Sequence, residues 1–486
     1  MQPSMGVGLT VFLALVLGIG LATVTRAADQ PNVVFFLVDD FGARDLACYG
    51  STLYKTPHMN RLAAEGMLFT DAYAAYPRCV PSRQAIFSGK YSCRVELSRS
   101  EGDHPLPLRE VTFGEALQEA GYRTGYIGKW HLGDEGGGPG EQGFETVIHA
   151  GSAGATGSFF HPFTVEKGRS VVNPLKSREG DYLIDRMTDE AVAFVEQKSD
   201  KPFLLVLSHY AVHTPLEAPD ELTATYEHEL RRAGIAVGGE REDADLVRDR
   251  QGLTKTLQNN PTYAAMVEKT DASLGRVMQS LEDAGLAENT ILVVTSDHGG
   301  LSTRGLENRR PLATSNAPLR QGKGSIFEGG VRVPLIVKWP GRTAPGSVSA
   351  VQVNGTDHYP TILEMAGVPL KPNQHVDGVS YRKALEGDVS QRAPIFFNKW
   401  MARPQSTGDT RAMSLIDGRW KVILWLDDDV VELFDLRQDI GETSSLADAE
   451  PARARAMLRE LLATEQAIGS LREKGLELTQ QRMEKE

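Results

Sequence analysis

Acidic side chains follow apolar runs at two separate places in the chain. Asp39 and Asp40 come directly after the apolar run 32–38, and Asp297 follows the run 290–295. Two adjacent acids at the end of a buried strand are energetically costly unless a cation pairs with them. Solvated loops are the more common location of an Asp pair, but recurrence of the pattern after a second run argues against that location here. The three carboxylates therefore predict an oxygen-rich site suited to Ca²⁺ or Mg²⁺.

Lysines and histidines occupy comparable positions next to three further apolar runs. They are Lys129 and His131 after 124–127, His209 and His213 after 202–207, and Lys323 before 334–337. A lone lysine is usually a solvated surface charge, and a lone histidine is often a hydrogen-bonded core residue. His209 is assigned that structural role, whereas the glycine-flanked lysines and the other two histidines are candidates for catalysis.

The apolar runs alternate with amphipathic segments, which indicates strands alternating with helices. Short runs rich in β-branched and aromatic residues are typical of strands buried on both faces of a parallel sheet. The predicted strands are 32–38, 124–127, 202–207, 290–295 and 334–337, and the predicted helices are 112–120, 182–197 and 263–284. This alternation predicts an α/β fold with a large, doubly wound, mostly parallel sheet flanked by helices. Ligands bind beyond the carboxyl ends of the strands in such sheets, so we expect the candidate side chains to converge there.

The pattern changes near Arg392, which indicates a second and smaller domain. Its predicted elements are short antiparallel strands at 412–416, 420–425 and 431–434 and a helix at 451–468. We therefore predict a catalytic domain at 29–391 and a C-terminal α+β subdomain, an antiparallel sheet plus a helix, at 392–486. The polar segment 217–260 is predicted to be a partly helical surface insertion.

Composition excludes several classes of protein. The chain has 486 residues and a formal net charge of −12, which argues against nucleic-acid binding and supplies no basic face for a membrane surface. An anionic substrate is compatible with this charge, because a local basic pocket can lie in an acidic protein. The three cysteines, Cys48, Cys79 and Cys93, are too few for a disulfide scaffold, and zinc-site spacings are absent. Pairing of Cys48 with Cys93 in an oxidising compartment stays open.

The N-terminus has the character of a targeting segment. Val7 to Val24 is almost wholly apolar, and Thr25-Arg26-Ala27-Ala28 offers a small-residue cleavage site. Residues 1–28 are therefore predicted to be a secretory signal peptide, which directs the mature protein to the periplasm or outside the cell. The region before the apolar run has no Lys or Arg, and the run is long, so an uncleaved membrane anchor is the alternative.

Residues 79–83 have the sequence Cys-Val-Pro-Ser-Arg and are followed by Ser88-Gly-Lys. An unpaired cysteine is by itself most often a buried, inert thiol. This stretch nevertheless resembles the modification signature of the type I sulfatases, a family of the alkaline phosphatase superfamily. Further segments resemble the same family in the same order: Asp39-Asp40, Gly-Lys129-Trp-His131, His213-Thr-Pro, Asp297-His298-Gly and Gly-Lys323-Gly. The resemblance covers nearly the whole mature chain.

The resemblance implies a modified nucleophile and a metal. A dedicated formylglycine-generating enzyme would oxidise Cys79 to formylglycine, an aldehyde whose hydrate attacks sulfur. One divalent cation per chain is implied, Ca²⁺ with Mg²⁺ as the alternative, and its ligands would be Asp39, Asp40, Asp297, His298 and the modified residue 79. Many family members have Asn in place of His298. An imidazole nitrogen is a softer ligand than an amide oxygen, which weakens the preference for Ca²⁺.

The remaining site residues take roles that suit the cleavage of a sulfate ester. By resemblance, Arg83 holds the aldehyde hydrate, and Lys129 and Lys323 bind sulfate oxygens. His213, together with Lys323, would protonate the leaving alcohol, and His131 would take a proton from the second hydroxyl when sulfate is expelled. Cations aimed at oxygens that gain charge in the transition state often make the greatest single contribution to such catalysis.

The resemblance therefore implies a secreted or periplasmic sulfatase that hydrolyses a sulfate monoester to an alcohol and inorganic sulfate. A sulfated small molecule or saccharide is the expected partner, and no nucleic acid or stable membrane partner is expected. One alternative is a phosphate or phosphonate ester hydrolase of the same superfamily, although the extra Asp and His ligands of its dizinc phosphatases are not found. Another is a catalytically silent glycan-binding homologue in which Cys79 is unmodified.

Overall fold

The computed structural model describes residues 30–95, 105–134, 136–238, 245–389 and 392–468. The predicted signal peptide, residues 1–28, lies outside these residues. Within them, no helix combines the length and the apolar character that crossing a bilayer requires.

Strands and helices are numbered separately in chain order. The strands are β1 (Asn32–Val38), β2 (Met67–Phe69), β3 (Ala72–Tyr73), β4 (Arg123–Gly128), β5 (Thr146–Ile148), β6 (Phe203–His209), β7 (Leu246–Asp249), β8 (Gly252–Lys255), β9 (Thr290–Ser296), β10 (Thr303–Gly305), β11 (Leu335–Lys338), β12 (Ser347–Ser349), β13 (Val353–Asn354), β14 (Ile395–Lys399), β15 (Ala412–Asp417), β16 (Trp420–Trp425) and β17 (Val430–Asp435). The α-helices are α1 (Pro57–Glu65), α2 (Cys79–Ser88), α3 (Ser92–Val95), α4 (Phe113–Glu119), α5 (Leu183–Glu196), α6 (Asp220–Arg232), α7 (Pro261–Asp283), α8 (Glu328–Val331), α9 (His358–Met365), α10 (Arg382–Leu385), α11 (Pro404–Thr407) and α12 (Pro451–Ile468).

The large sheet has the strand order β12-β2-β11-β9-β1-β6-β4-β5. Its centre is parallel, because β1 pairs in parallel with both β6 and β9, and β4 pairs in parallel with β5 and β6. Strand β11 differs, since it runs antiparallel to both β9 and β2. The predicted mostly parallel sheet is therefore confirmed, with one reversed strand inside it.

Strand β1 shows why the sheet lies between two layers of helices. All seven of its residues are buried. Val34, Phe36 and Val38 join a core cluster that includes residues of α5 and α7, whereas Val33, Phe35 and Leu37 join a cluster that includes residues of α4 and α9. Successive side chains of a strand face opposite ways, so an unbroken apolar run supplies both cores. Each fully buried side chain of this kind contributes about 1.5 to 3 kcal/mol.

The helices predicted from the sequence form with small shifts at their ends. Helix α7 begins at Pro261, two residues before the predicted start at 263. Proline at the first helical position needs no hydrogen-bond partner for its nitrogen. The Asn260 side chain accepts from Tyr263 N–H at 3.0 Å, so the cap, rather than the apolar periodicity, sets the boundary.

The polar segment 217–260 is only partly what the sequence predicted. Helix α6 forms within it, but β7 and β8 form a hairpin that β10 extends into a three-stranded sheet. The hairpin was missed because its strands are short and carry charged residues, such as Arg248 and Lys255. Pairing with β10 through Thr303–Gly305 supplies the partner that the local sequence does not indicate.

The C-terminal sheet has the order β14-β15-β16-β17 and is antiparallel throughout. The prediction of a small antiparallel sheet plus helix is confirmed, and β14 is an additional strand. One face packs against α12, and the other joins a cluster with Tyr73, Ile326 and Phe327 of the larger domain. Ile395 and Phe397 of β14 lie in one cluster and Phe396 in the other, which is the alternation expected of a strand between two cores.

Buried charges also join the two sheets. Lys421 Nζ of β16 lies 2.9 Å from Glu328 Oε1 and 2.8 Å from Glu442 Oε1, and all three side chains are fully buried. Arg332 Nε donates to Glu328 Oε2 at 2.7 Å. Glu328, Arg332, Lys421 and Glu442 are called the junction cluster below.

Candidate active site

The first pair of candidate acids stands where β1 ends. The chain turns sharply here because Asp40 takes a left-handed backbone conformation, with φ of 59°. Asp39 N–H donates to Ala211 O at 3.0 Å, and Val212 N–H donates to Asp39 O at 2.8 Å, so the turn is held against the residues that follow β6. Both acids are buried. Positive φ is uncommon for a residue other than glycine, and such backbone strain clusters at functional sites.

Cys79 is the first residue of helix α2 and lies against the Asp pair. Its Sγ is 3.6 Å from Asp39 Oδ1 and 3.2 Å from His298 Nε2. One potential ligand atom from each of Asp39, Asp40, Cys79 and His298 lies within 4.8 Å of the other three. Among the described residues, Asp40 Oδ2 has no hydrogen-bond partner. Four ligand atoms thus converge from β1, α2 and the loop after β9.

Asp297 stands beside these four residues and is held by Arg83. Arg83 Nε donates to Asp297 Oδ2 at 2.9 Å, and its Nη1 donates to Lys129 O at 2.7 Å. The other carboxylate oxygen, Asp297 Oδ1, accepts from Asp40 N–H at 3.3 Å and lies 3.6 Å from His298 Nε2. The fifth predicted ligand therefore turns one oxygen towards the cluster while Arg83 holds the other.

Two buried lysines pair with the acids after β1. Lys129 Nζ donates to Asp39 Oδ2 at 2.5 Å, and Lys323 Nζ donates to Asp40 Oδ1 at 2.7 Å. Lys129 follows the parallel strand β4, whereas Lys323 precedes the antiparallel strand β11. The reversal of β11 brings its first residues to the edge where the parallel strands end. The Lys129 side chain is fully buried and that of Lys323 is 10% exposed, so Lys323 is the lysine nearer to solvent.

Two of the candidate histidines line the same site. His213 Nε2 lies 3.9 Å from Asp40 Oδ2, and its side chain is 18% exposed. The His131 ring forms a hydrogen bond with the Cys79 side chain, and its backbone is left-handed with φ of 60°. Gly154 permits this placement, because a Cβ there would lie 2.2 Å from His131 Cε1. Both histidines therefore approach the cluster from loops that follow strand ends.

Burial and neighbouring charge act in opposite directions on the acids. Burial would raise the pKa of Asp40, but the charge of Lys323 and the nearby histidines lower it to about 2. Burial would also raise the pKa of Asp297, but the nearby His298 imidazole and Arg83 guanidinium lower it. For Asp39, burial prevails over the charge of Lys129, and its pKa is raised well above the usual value. Neighbouring cations thus hold Asp40 and Asp297 in the charged form, and Asp39 needs a further cation to ionise as readily.

The same charges act on Cys79, His213 and Lys323. Burial alone would raise the pKa of the Cys79 thiol, but Lys129, Lys323 and His298 lower it well below its usual value. Burial and the charge of Lys323 lower the pKa of His213 to about 4. Burial would lower the pKa of Lys323, but the neighbouring carboxylates raise it. At neutral pH the lysine therefore holds a proton, and position 79 stabilises an anion.

The donor atoms fit a hard divalent cation. His298 Nδ1 lies 3.1 Å from Gly299 O. Because a carbonyl oxygen only accepts, Nδ1 carries the ring proton, and Nε2 presents its lone pair to the cluster. Carboxylate oxygens from Asp39, Asp40 and Asp297, with the unpaired Asp40 Oδ2 among them, are the donors that Ca²⁺ and Mg²⁺ prefer. These four residues and the side chain at position 79 could hold such an ion.

The structure brings every predicted site residue to one edge of the large sheet. They are Asp39, Asp40, Cys79, Arg83, Lys129, His131, His213, Asp297, His298 and Lys323. His209 is buried and hydrogen-bonded to Ser273 at 2.9 Å, which fits its structural assignment. Cys48 and Cys93 are free thiols packed against different core clusters, so they do not pair.

Sequence reasoning missed two serines that position the site. Ser82 Oγ donates to Asp297 O at 2.5 Å. Ser208 Oγ accepts from Arg83 Nη1 at 2.9 Å and donates to Lys129 O at 2.7 Å. Ser82 lies inside the Cys-Val-Pro-Ser-Arg stretch and could have been singled out there. Nothing in the local sequence distinguishes Ser208, which only the pairing of β6 with β4 brings between Arg83 and Lys129.

Comparison with known proteins assigns this architecture to a family. Residues 31–368 match the family model described as Sulfatase, and residues 322–467 match the one described as N-sulphoglucosamine sulphohydrolase, C-terminal. Steryl-sulfatase of Rattus norvegicus is 29% identical over 459 residues, covering 78% of this chain and 74% of the relative. Arylsulfatase A of Homo sapiens is 31% identical over 428 residues, covering 81% and 74%. A solved structure, Ps i-CgsB in complex with k-i-k-neocarrahexaose, is 27% identical with a TM-score of 0.73, covering 91% and 94%.

The chain therefore belongs to the type I sulfatase family of the alkaline phosphatase superfamily, and it is a sulfuric ester hydrolase. This confirms the family and the class of enzyme that the sequence motifs predicted. The phosphate ester hydrolase and the silent glycan-binding homologue are not favoured by these relatives.

Proposed function

We propose that this enzyme hydrolyses a sulfate monoester on a sulfated carbohydrate, with residue 79 as formylglycine and one divalent cation held beside it. The observation that carries the proposal is the convergence of Cys79 with Asp39, Asp40 and His298 within 4.8 Å. A structural cysteine gains nothing from a position between carboxylates and an imidazole. A side chain that is converted into an oxygen nucleophile requires such a position.

The lysines bind the sulfate group in this proposal. The ester carries negative charge on its non-bridging oxygens, and more charge collects on the leaving oxygen as the S–O bond breaks. Lys129 and Lys323 are held by single carboxylates, so each keeps N–H donors for a substrate oxygen. Donors already fixed in a buried site need no reorganisation when the charge develops.

Residue 79 is the nucleophile. Formylglycine would supply a hydrated carbonyl carbon, whose two hydroxyl groups allow attack on sulfur and later release of sulfate by the same residue. His131, hydrogen-bonded to the side chain at position 79, takes the proton from the second hydroxyl. Arg83 and Asp297 fix the surroundings of residue 79, because Arg83 ties Asp297 to the backbone carbonyl of Lys129.

The leaving alcohol receives its proton at the open side of the site. Lys323 and His213 are partly exposed and both approach Asp40, and His131 is partly exposed beside Cys79. Lys323 carries a proton at neutral pH, and His213 lies where it can exchange one with Lys323 and with the departing oxygen. The substrate therefore enters past Lys323, His213 and His131.

Asp39, Asp40, Asp297, His298 and residue 79 would hold the cation, with Ca²⁺ first and Mg²⁺ second. When bound, the ion would polarise a sulfate oxygen and lower the pKa of an adjacent hydroxyl. The carbohydrate substrate is supported by the likeness to Ps i-CgsB, which was solved with a carrahexaose. Export through the N-terminal segment 1–28, to the periplasm or beyond, would bring the enzyme to such polymers.

The test combines peptide mass with product analysis. Protein produced together with a formylglycine-generating enzyme should give a peptide around residue 79 that is lighter than the cysteine form by roughly 18 Da. It should release inorganic sulfate from 4-nitrophenyl sulfate and from sulfated saccharides, lose this activity with a chelator and regain it with Ca²⁺. Activity of protein whose residue 79 is entirely cysteine would contradict the proposal. Amino-terminal sequencing of exported protein tests cleavage near residue 28.

A further inference from the structure

Arg310 lies in the loop that follows β10, and hydrogen bonds hold its backbone on both sides. Its N–H donates to Asn308 Oδ1 at 2.8 Å, and its carbonyl accepts from Arg304 Nη1 at 2.9 Å. Asn308 Nδ2 in turn donates to the carbonyl of Gln405 at 3.1 Å. The loop is therefore attached to helix α11, and the position of Arg310 does not depend on contacts made by its own side chain.

This loop lies between the segments that carry the catalytic cluster. On one side, Arg78, the residue before Cys79, donates to Thr407 Oγ1 and Asp409 Oδ1 at 2.7 Å each, next to α11. On the other side, Ala313 N–H donates to Leu301 O at 3.0 Å, three residues after His298. The positive charge of the Arg310 guanidinium therefore interacts electrostatically with the Asp40 carboxylate of the active site.

The Arg310 side chain has an unused hydrogen-bonding edge. Nε and Nη2 are both inaccessible to solvent, and no described residue accepts a hydrogen bond from either atom. These neighbouring N–H groups form the planar fork with which arginine binds two oxygens of one anion. Arg320 uses the same edge on Asp249, donating from Nε and Nη2 to its two carboxylate oxygens at 2.8 and 2.7 Å. Among the described residues, no carboxylate accepts from the corresponding Nε and Nη2 of Arg310.

The charge around Arg310 indicates what the fork would bind. Burial lowers the pKa of Arg310, and the nearby Arg78 and Arg403 lower it further, whereas Asp40 and Asp409 oppose this. Asp409 is already in ion pairs with Arg78 and with Lys399, and Asp40 is paired with Lys323. Both of these carboxylates therefore already have cationic partners, and neither is bound by the Arg310 fork. An oxyanion would complete the fork and neutralise the charge of the Arg310 guanidinium.

We propose that Arg310 binds a second anionic group, a sulfate or a carboxylate, on the saccharide that carries the scissile sulfate. The inference rests on the proposed function, because it assigns the second group to the same substrate. Binding of this second group by Arg310 makes the enzyme selective for doubly charged saccharides, such as disulfated sugars or sulfated sugars joined to a uronic acid.

The experiment measures kcat/KM on matched pairs of saccharides with the metal-loaded, formylglycine-containing enzyme. Monosulfated hexoses and hexosamines are each compared with the same sugar carrying a second sulfate, and with the same sugar joined to a uronic acid. We expect the wild-type enzyme to favour one doubly charged arm, which identifies the second group as sulfate or carboxylate. In Arg310→Gln, the ratio of doubly to singly charged kcat/KM should fall by about 10- to 100-fold.

Arg309→Gln is the matched control, because Arg309 is the adjacent arginine and is exposed. It should leave the ratio within about twofold of the wild-type value. Arg310→Lys keeps the charge but lacks the planar fork, so its ratio should lie between those of wild type and Arg310→Gln. It also supplies the test if Arg310→Gln fails to fold, which thermal melting reports.

Four results separate the inference from the proposed function. A wild-type enzyme that hydrolyses 4-nitrophenyl sulfate but favours no doubly charged saccharide overturns the role of Arg310. An unchanged ratio in a folded Arg310→Gln, or an equal fall in Arg309→Gln, overturns it as well. A wild-type enzyme that releases no sulfate from any ester overturns the proposed function instead.

Discussion

The active centre and the junction cluster are both buried groups of charges, but their hydrogen bonding differs. In the junction cluster, Lys421 is shared by Glu328 and Glu442, and Glu328 N–H donates to Glu442 Oε2 at 2.6 Å. In the active centre, Asp39 and Asp40 each have a lysine of their own. In the junction cluster one lysine serves two carboxylates, whereas in the active centre each of three carboxylates has a cation of its own.

The two clusters also differ in access to solvent. Lys421, Glu328 and Glu442 are fully buried, whereas Lys323 is 10% and His213 18% exposed. Asp40 Oδ2 has no partner among the described residues, and Cys79 and His298 bring further lone pairs to the same point. A group of buried charges is therefore not by itself evidence of a functional site. Converging lone pairs with a route to solvent indicate a site that binds and reacts.

The largest expected effect comes from removing the nucleophile. Cys79→Ala should lower kcat by at least about 10⁴-fold, because it removes the side chain that is proposed to attack sulfur. Thermal melting should stay close to that of the wild-type protein. Cys93→Ala, at a half-buried cysteine packed against the core of the C-terminal sheet, is the control and should keep its activity. Residual turnover of Cys79→Ala near the wild-type rate would remove the distinction between the two clusters.

The next effect concerns the junction cluster. Lys421→Met should lower the free energy of unfolding by about 3 to 5 kcal/mol, because Glu328 and Glu442 lose their shared cation in the interior. Chemical denaturation measures this change, and the kcat of the folded fraction should be unaffected. Adding Glu328→Gln and Glu442→Gln should recover part of the loss. Wild-type stability of Lys421→Met would mean that water, and not Lys421, neutralises these acids.

A matched lysine in the active centre should behave differently. Lys323→Met should lower kcat/KM by about 10²-fold, because one donor to the charged oxygens is lost. Its effect on stability should be smaller than that of Lys421→Met, since Lys323 is partly exposed and histidines remain beside Asp40. Steady-state kinetics and denaturation on both variants compare the clusters directly. If both lysines mainly changed stability, the functional distinction would fail.

The smallest effect is a dependence of stability on pH. Burial raises the pKa of Glu442 to about 7, although Lys421 opposes this. Between pH 4.5 and 7 the folded protein therefore holds a proton that the unfolded chain releases. Stability should fall by roughly 1 to 3 kcal/mol as pH rises through that window and then level off.

Glu442→Gln isolates this contribution. Burial also raises the pKa of Asp45 to about 7 and that of Asp271 to about 6. These two acids therefore make stability fall with rising pH in both the wild type and the variant. Measured by denaturation at pH 5, 6, 7 and 8, the free energy of unfolding of the wild type minus that of Glu442→Gln should therefore fall as pH rises. Parallel curves would show that Glu442 is ionised throughout, as a second fully paired carboxylate.

Much of the fold and of the site could be predicted from local patterns. Strand β1 is an unbroken apolar run, and helix α12 has the predicted bounds, Pro451–Ile468. Short motifs supplied every residue of the predicted site. Strand β14 and the β7–β8 hairpin were missed because their pairing partners are distant in the chain, and local composition carries no record of them.

Residue types and spacing were sufficient to predict a parallel α/β sheet and acids at its strand ends, because apolar runs and the residues that follow them are local features. The reactive role of Cys79 was predicted from the resemblance of residues 79–83 to the sulfatase signature. The reversed direction of β11, the left-handed turns at Asp40 and His131 and the unused fork of Arg310 depend on packing between remote segments. Hydrogen bonds and charges act over a few ångströms in space, so only the folded chain decides which side chains meet and which keep a free edge.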